Sequence, residues 1–329
     1  MGEKDAAAIH FLADNRRFAD VCNYYLYQGQ EKIRPEMLRE QDTRELLHLL
    51  DREGKAVSVQ KWRDILKSAV LRCSDDCIYL IIGMESQSEI HYAMPVRGML
   101  YDALDYSRQV DELSRYHREQ KDWKDSAEFL SGFCREDKLI PVVTITIYWG
   151  SESWDGPRSL HDMLQKGNVR KVSGKLQDET AQIDILKYVP DYKLNLIAPA
   201  EIEDFDKFHT SVREVMEILK YKEDEEAMNR LLHSNPAYQN LENEAVDVIN
   251  KFAGLGLSIN EEKGETDMCK AWDDHKRAGI QEGRQAGIQE GRKAGIQETL
   301  RALYQSGDIS AEVAAEKMNV SLEEFLSLL

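Results

Sequence analysis

The sequence predicts a layered α/β fold with a helical C-terminal extension, on three observations. An apolar run at 78–84 and a β-branched run at 139–150 read as strands. Amphipathic stripes at 5–28 and 96–104 read as helices laid against them. From residue 205 onward the pattern turns helical and stays so.

In chain order, Ala8, Phe11, Leu12, Ala19, Cys22 and Leu26 fall at helical spacing and predict an amphipathic helix over 5–28, ended by Gly29. A second helix is expected over 35–50, with Pro35 in its first turn and Leu46, Leu47, Leu49 and Leu50 near its end. Two strands follow, at about 60–72 and 77–85, joined by the turn-forming Ser74-Asp75-Asp76. After Pro95, the residues Val96, Met99, Leu100, Ala103 and Leu104 form an i, i+3, i+4, i+7, i+8 stripe, a helix that packs on the sheet. The charged stretch at 110–128 is either more helix or an insertion. In the run at 139–150, Val143, Ile145 and Ile147 alternate with Val142, Thr144 and Thr146. Apolar content on both faces suggests a central strand. Another strand is expected over 192–198, between Pro190 and Pro199, and helices over 212–219 and 241–252.

The tail repeats itself. Ala278-Gly279-Ile280-Gln281-Glu282-Gly283-Arg284-Gln285 recurs, with changes, at 286–293 and 294–301. An eight-residue period advances about 80° per repeat, so Ile280, Ile288 and Ile296 spiral around a helix and form no single stripe. Glycine in each repeat weakens the helix by up to ~1 kcal/mol relative to alanine. The expectation is a spacer or a weak self-association arm, hence a homo-oligomer. Two short helices capped by Ser310 and Ser321 close the chain, and they lack the basic face of a DNA-reading helix-turn-helix.

Composition narrows the partners. A formal net charge of −17 over 329 residues argues against broad, nonspecific attraction to nucleic acid. The longest apolar runs fall short of the ~20 residues a membrane helix needs, and the N-terminus lacks a charged-then-apolar signal pattern, so the expected location is cytoplasmic with no membrane contact. Five cysteines (Cys22, Cys73, Cys77, Cys134, Cys269) are odd in number and scattered, which fits idle thiols better than a disulfide framework. Cys73 and Cys77 alone make a poor zinc site. Against the acidic whole, 54–73 carries five basic residues (Lys55, Lys61, Arg63, Lys67, Arg72) and one acid, Asp64. That pattern suits local contact with a phosphodiester backbone; an exposed basic strand face is the plainer explanation.

Asp64 and the pair Glu85 and Gln87 frame a strand, turn and strand. Residues two apart on a strand look the same way, so Glu85 and Gln87 share a face, and two carboxylates can reach one metal ion. Alone, an acid followed twenty-one residues later by Glu-x-Gln is weak in a chain with 60 acids. Its setting strengthens it: a helix before, the acids on a hairpin, an amphipathic helix behind.

In that setting the chain resembles the recombination-promoting nuclease (Rpn) family, transposase-like proteins of the PD-(D/E)XK nuclease superfamily. The resemblance rests on Phe18-Ala19-Asp20, on 83–97 and 99–109, on Trp154-Asp155-Gly156-Pro157-Arg158-Ser159-Leu160, and on 189–201, and covers about residues 6–225. It implies a restriction-endonuclease-like core, a mixed central sheet flanked by helices with the active site at the ends of two central strands. It also implies a metal-dependent DNA endonuclease linked to recombination, mobile elements or phage defence. Asp64 and Glu85 are then ligands of Mg²⁺ (or Mn²⁺ or Ca²⁺), and Asp64, Glu85 and Gln87 the catalytic set. Gln87 stands where the superfamily has lysine; glutamine orients water or a phosphate oxygen but brings no charge. Lys67 is the candidate for that charge, although strand alternation from Asp64 sets it on the opposite face unless a bulge intervenes. Asp20, on the first helix, is an accessory acid or a solvated one. Arg97 either clamps a phosphate or pairs with Glu85 or Asp102, and Tyr101 lies one turn on. The expected divisions are a nuclease-like core at 1–205, a helical extension at 206–256, the repeat helix at 257–301 and a small helical module at 302–329. The competing expectation is a degenerate nuclease fold that serves as an oligomeric interaction module.

Overall fold

The computed structural model describes residues 2–41, 44–50, 56–62, 64–73, 76–164 and 185–327, with backbone alone at 44–50, 56–62, 70–73, 76–79 and 185. Two units emerge, Met1–Met268 and Cys269–Leu329.

The first unit opens with two helices where one is expected. α1 (Glu3–Ala13) and α2 (Asn15–Tyr27) are separated at Asp14, whose carboxylate accepts the Arg16 and Arg17 amides at 2.8 and 3.2 Å and so starts a new helix. α2 ends in left-handed backbone at Gln28 and Gly29 (φ 54° and 86°). A Cβ at Gly29 would lie 2.8 Å from the Lys207 carbonyl oxygen, so this turn requires glycine twice over.

The helix expected over 35–50 does not form. Pro35 starts only a single 3-10 turn (Pro35–Met37), after which β1 (Leu38–Glu40) and β2 (Arg44–Leu50) are extended. The leucine cluster that reads as a helical stripe sits in a strand because β2 pairs in register with β3 (Ala56–Trp62), Leu47 opposite Val59 and Leu49 opposite Val57. Cross-strand pairing overrides local propensity here. The strand expected over 60–72 is likewise two elements, β3 and β4 (Ile65–Cys73), with Asp64 in the bend that precedes β4. β5 (Asp76–Gln87) follows; the expected turn residues Ser74 and Asp75 lie outside the described residues.

α3 (Met94–Gln120) takes in most of the charged stretch after 110, and α4 (Ser126–Ser131) leads to β6 (Val142–Tyr148). The single turn α5 (Leu160–Met163) precedes β7 (Asn195–Ile197). These strands build a mixed five-stranded sheet in the order β1-β4-β5-β6-β7, antiparallel across β1, β4 and β5 and parallel across β5, β6 and β7. β6 is interior, as its two-faced apolar pattern predicts.

Helices cover both faces. On one side Leu66, Ile81 and Val142 form a cluster with Tyr106 of α3, and the Tyr106 hydroxyl accepts the Val142 amide at 3.1 Å. On the other, Lys67 reaches the α1–α2 junction and its ammonium lies 5.0 Å from the Phe18 ring centroid. α6 (Val212–Tyr221), α7 (Glu225–Ser234) and α8 (Asn243–Ala253) follow; α8 packs on α1 and α6 on α2, so residues 206–256 lie within the first unit. β8 (Leu241–Glu242) and β9 (Glu265–Thr266) form a small antiparallel pair.

The second unit contains α9 (Met268–Gln305) from its second residue, then α10 (Ala311–Met318) and α11 (Leu322–Ser327). Ala314, Ala315 and Phe325 make a small core with Tyr304 and Val320. Ser310 caps α10 through the Val313 amide, and Ser321 accepts the Glu324 amide at 3.1 Å, the capping roles expected of both serines. Along α9 the repeat isoleucines are exposed, and a Cβ at any glycine from 279 to 295 would meet nothing within 4 Å. Among the described residues no helix is long and apolar enough to cross a membrane.

Candidate functional site

The β4–β5 register assembles the site. The register ends with Ile65 opposite Met84, which brings Asp64, in the bend before β4, level with the Glu85–Ser86 stretch of β5. The Ser86 amide donates to Asp64 Oδ2 at 2.7 Å, fixing the carboxylate at the mouth of the pair. Across β5, Glu85 pairs with Thr146 and Gln87 with Tyr148 of β6. Asp64 therefore lies just before β4, and Glu85 near the C-terminal end of β5, the middle strand of the sheet.

α3 closes over them. Asp102 accepts from the Thr144 hydroxyl of β6 and, at 2.6 Å, from the Tyr192 hydroxyl, which pins the helix down. Gly98 permits this approach, since a Cβ there would lie 3.3 Å from the Tyr192 ring. The first turns of α3 then bring Arg97 onto Glu85, Nη2 to Oε2 at 3.0 Å, while Arg97 Nε donates to the Tyr101 hydroxyl at 3.1 Å. The ion pair with Glu85 that the sequence allows for Arg97 is formed. Glu85 is fully buried (0% exposed), so the guanidinium balances a charge that water cannot reach.

A polar cavity of about 240 Å³ opens beside this pair, lined by Asp64, Gln87, Arg97 and, in addition, Asp5, Glu89 and His91. Glu85 is not part of the cavity wall; it is buried and meets the cavity only through its partner Arg97. Burial pushes the Asp64 carboxyl above the usual carboxylate range, opposed by the Ser86 amide and the Arg97 charge and reinforced by Asp5. Burial works against the Arg97 charge, but Glu85 and Tyr101 outweigh it and hold the guanidinium above its ordinary value. Tyr101 is raised by burial and by the Glu85 carboxylate. Because the folded-state pKa of Asp64 is raised, its stabilising contribution is complete below the ordinary carboxylate range and is lost as pH rises through the raised value. Asp64→Asn is therefore expected to melt above wild type at pH 7, with the gap closing below about pH 4; thermal denaturation across that range measures it.

Two accessory residues are placed elsewhere. Asp20 accepts the His209 amide at 3.0 Å, the Thr210 amide at 2.9 Å and the Thr210 hydroxyl at 2.6 Å, which makes it a clamp on the segment entering α6 and no part of the cavity wall. Asp20→Ala orphans those donors and should lower stability by about 2–3 kcal/mol, read by chemical denaturation. Lys67 is buried, its ammonium donating to the Ala13 carbonyl and to Asn15 Oδ1 at 2.6 Å each. Strand alternation prevails with no bulge in the register, so Lys67 lies on the far face and supplies no charge beside Gln87. The Gln87 amide itself donates to the Ser86 carbonyl at 2.9 Å. Lys55 and Arg63 of the basic run lie outside the described residues, as do the side chains of Lys61 and Arg72.

Asp5 and Glu89 escape the sequence reading for different reasons. Glu89 lies in the bend beyond Gln87, where the strand alternation has ended, so its place in the wall is set by the turn that follows β5. Asp5 carries no spacing signal and reaches the cavity only because α1 packs beside β4 and β5. Comparison of the chain with models of known families, with curated proteins and with solved structures gave no match.

Proposed function

We propose that this chain is a metal-dependent nuclease that hydrolyses phosphodiester bonds in DNA, with Asp64 and Glu85 as its metal ligands. The single observation that carries this reading is that Asp64, held by the Ser86 amide next to Glu85, opens on a cavity whose wall also holds Gln87 and Arg97, the partner of Glu85. Oxygen donors of this kind suit Mg²⁺ or Mn²⁺. The order of helix, antiparallel strands, helix and parallel strand supports the finer assignment to a PD-(D/E)XK core.

Asp64 would hold the ion at the cavity mouth, with Glu85 as its second ligand and Asp5 adding negative charge. When bound, the ion supplies Lewis acidity and lowers the pKa of a coordinated water. Arg97 must leave Glu85 for that carboxylate to serve as a ligand. Its guanidinium is matched to a phosphate in both charge and hydrogen-bond geometry, so substrate gives it a second partner. Gln87, on the cavity wall, orients a water or a phosphate oxygen through its amide.

One observation favours the competing reading of a degenerate, interaction-serving fold: Arg97 already neutralises Glu85, and Gln87 brings no cation. Supercoiled plasmid incubated with the protein in Mg²⁺, Mn²⁺ or EDTA separates the two. Nicking that requires the metal is expected; no cleavage with any metal would leave the interaction reading, which predicts fewer chains per particle in solution when 269–329 are removed.

A further inference from the structure

About 30 Å along α3 from Arg97, at the helix's last turn, a different set of side chains converges. His117, Cys134 and Asp137 each offer a ligand atom, and those atoms all lie within 4.8 Å of one another. Tetrahedral zinc sites hold their ligands about 3.3–3.8 Å apart, given bond lengths of about 2.0–2.3 Å. Side-chain adjustments of about an ångström close the difference.

The surroundings are built as a zinc site's are. Asp122 Oδ1 lies 2.8 Å from His117 Nδ1, so a proton there is held by a carboxylate and the other ring nitrogen, Nε2, points at Asp137, 3.2 Å from both of its oxygens. A carboxylate behind the imidazole is the arrangement that fixes a metal-binding tautomer. Cys134 and Asp137 are joined in one turn: the Asp137 amide donates to the Cys134 carbonyl at 3.1 Å and the Cys134 amide to Asp137 Oδ2 at 2.7 Å. Glu128, buried on α4, lies against the Cys134 thiol and is held by the Lys124 and Arg135 amides at 2.8 and 3.3 Å. Both of its oxygens are thereby engaged, which leaves the fourth place of the cluster to water. The ring of Trp123 shields one side, 5.1 Å from the imidazole centroid. Carboxylates of Asp122, Glu128 and Asp137 thus gather around one imidazole and one thiol, an excess of negative charge that a divalent cation would balance.

We propose that His117, Cys134 and Asp137 form a zinc site, with Asp122 positioning the imidazole and water in the fourth place. A thiol beside an imidazole selects a borderline ion such as Zn²⁺ over the hard ions suited to Asp64 and Glu85. Binding exchanges protons for metal: the Cys134 S–H proton and any proton on His117 Nε2 leave to solvent, with no change of oxidation state. The site fastens the end of α3 to the turn before β6 and so braces the crossover that carries Arg97 at its other end.

The test is cobalt and zinc titration of the full chain freed of metal. Wild type should bind about one Co²⁺ with a thiolate-to-cobalt charge-transfer band that Zn²⁺ bleaches, and Zn²⁺ should raise its melting temperature. Cys134→Ser should lose the band, Asp137→Asn should weaken Zn²⁺ binding by at least about 10-fold, and Asp122→Asn by about 10–100-fold. The Cys73→Ser/Cys77→Ser and Cys269→Ser chains should keep the band, as should Asp64→Ala. Absence of a thiolate band in wild type overturns the proposal without reliance on any variant, and so does a band that survives in Cys134→Ser.

Discussion

Replacement of Asp64 or Glu85 by alanine is expected to reduce metal-dependent cleavage of supercoiled plasmid by at least about 10³-fold, with wild-type levels of folded protein retained for Asp64→Ala. The two losses should not multiply. Ligands of one ion act as a unit, so the double variant should be about as inactive as either single one. Independent structural roles would give additive effects on stability and no common floor of activity. The two single variants should also differ in the folded state, for reasons visible in their surroundings. Asp64 opens on the cavity and has one hydrogen bond from the Ser86 amide, whereas Glu85 is fully buried against Arg97. Glu85→Ala leaves a guanidinium facing a hole; Asp64→Ala leaves a wider cavity mouth.

The second large effect falls on stability. Arg97→Ala removes the cation that balances a fully buried carboxylate, and breaking such pairs costs about 3–5 kcal/mol when both partners are buried. Arg97 is 31% exposed, so solvent screening brings the expected loss to about 2–3 kcal/mol, read as a drop in melting temperature of about 4–12 °C. Two companion measurements fix the cause. Arg97→Met with Glu85→Gln should recover most of the loss, because no charge is then buried. Millimolar Mg²⁺ should also restore part of the melting temperature of Arg97→Ala, since an ion at Glu85 replaces the lost cation. If Mg²⁺ changes nothing while the neutral pair does recover stability, Glu85 is a structural acid and no ligand.

The parts of the site that were legible in the sequence are those fixed by strand periodicity. Glu85 and Gln87 share a face because they are two apart on an apolar strand, and a stripe of apolar residues places α3 behind them. Lys67 falls under the same rule, which sets it on the far face. What the sequence hides depends on packing between elements. Asp20 is a helical acid like any other until the His209–Thr210 backbone arrives against it, 189 residues later in the chain. Asp5 becomes a wall of the cavity only through the seating of α1. β2 reads as helix in the sequence because Leu46, Leu47, Leu49 and Leu50 satisfy a helical spacing as well as a strand, and only the partner strand β3 decides between them. His117, Cys134 and Asp137 are the extreme case. Seventeen and then three residues separate them, a spacing with no periodic meaning, and they meet because α3 ends where the turn before β6 folds back.

Whether Asp64 and Glu85 share one ion is read most directly by diffraction from crystals grown with Mn²⁺, recorded where manganese scatters anomalously. The prediction is a single peak about 2.0–2.3 Å from oxygens of both carboxylates, with Arg97 turned away from Glu85. No peak at this position, with Arg97 still bound to Glu85 at saturating Mn²⁺, would contradict it.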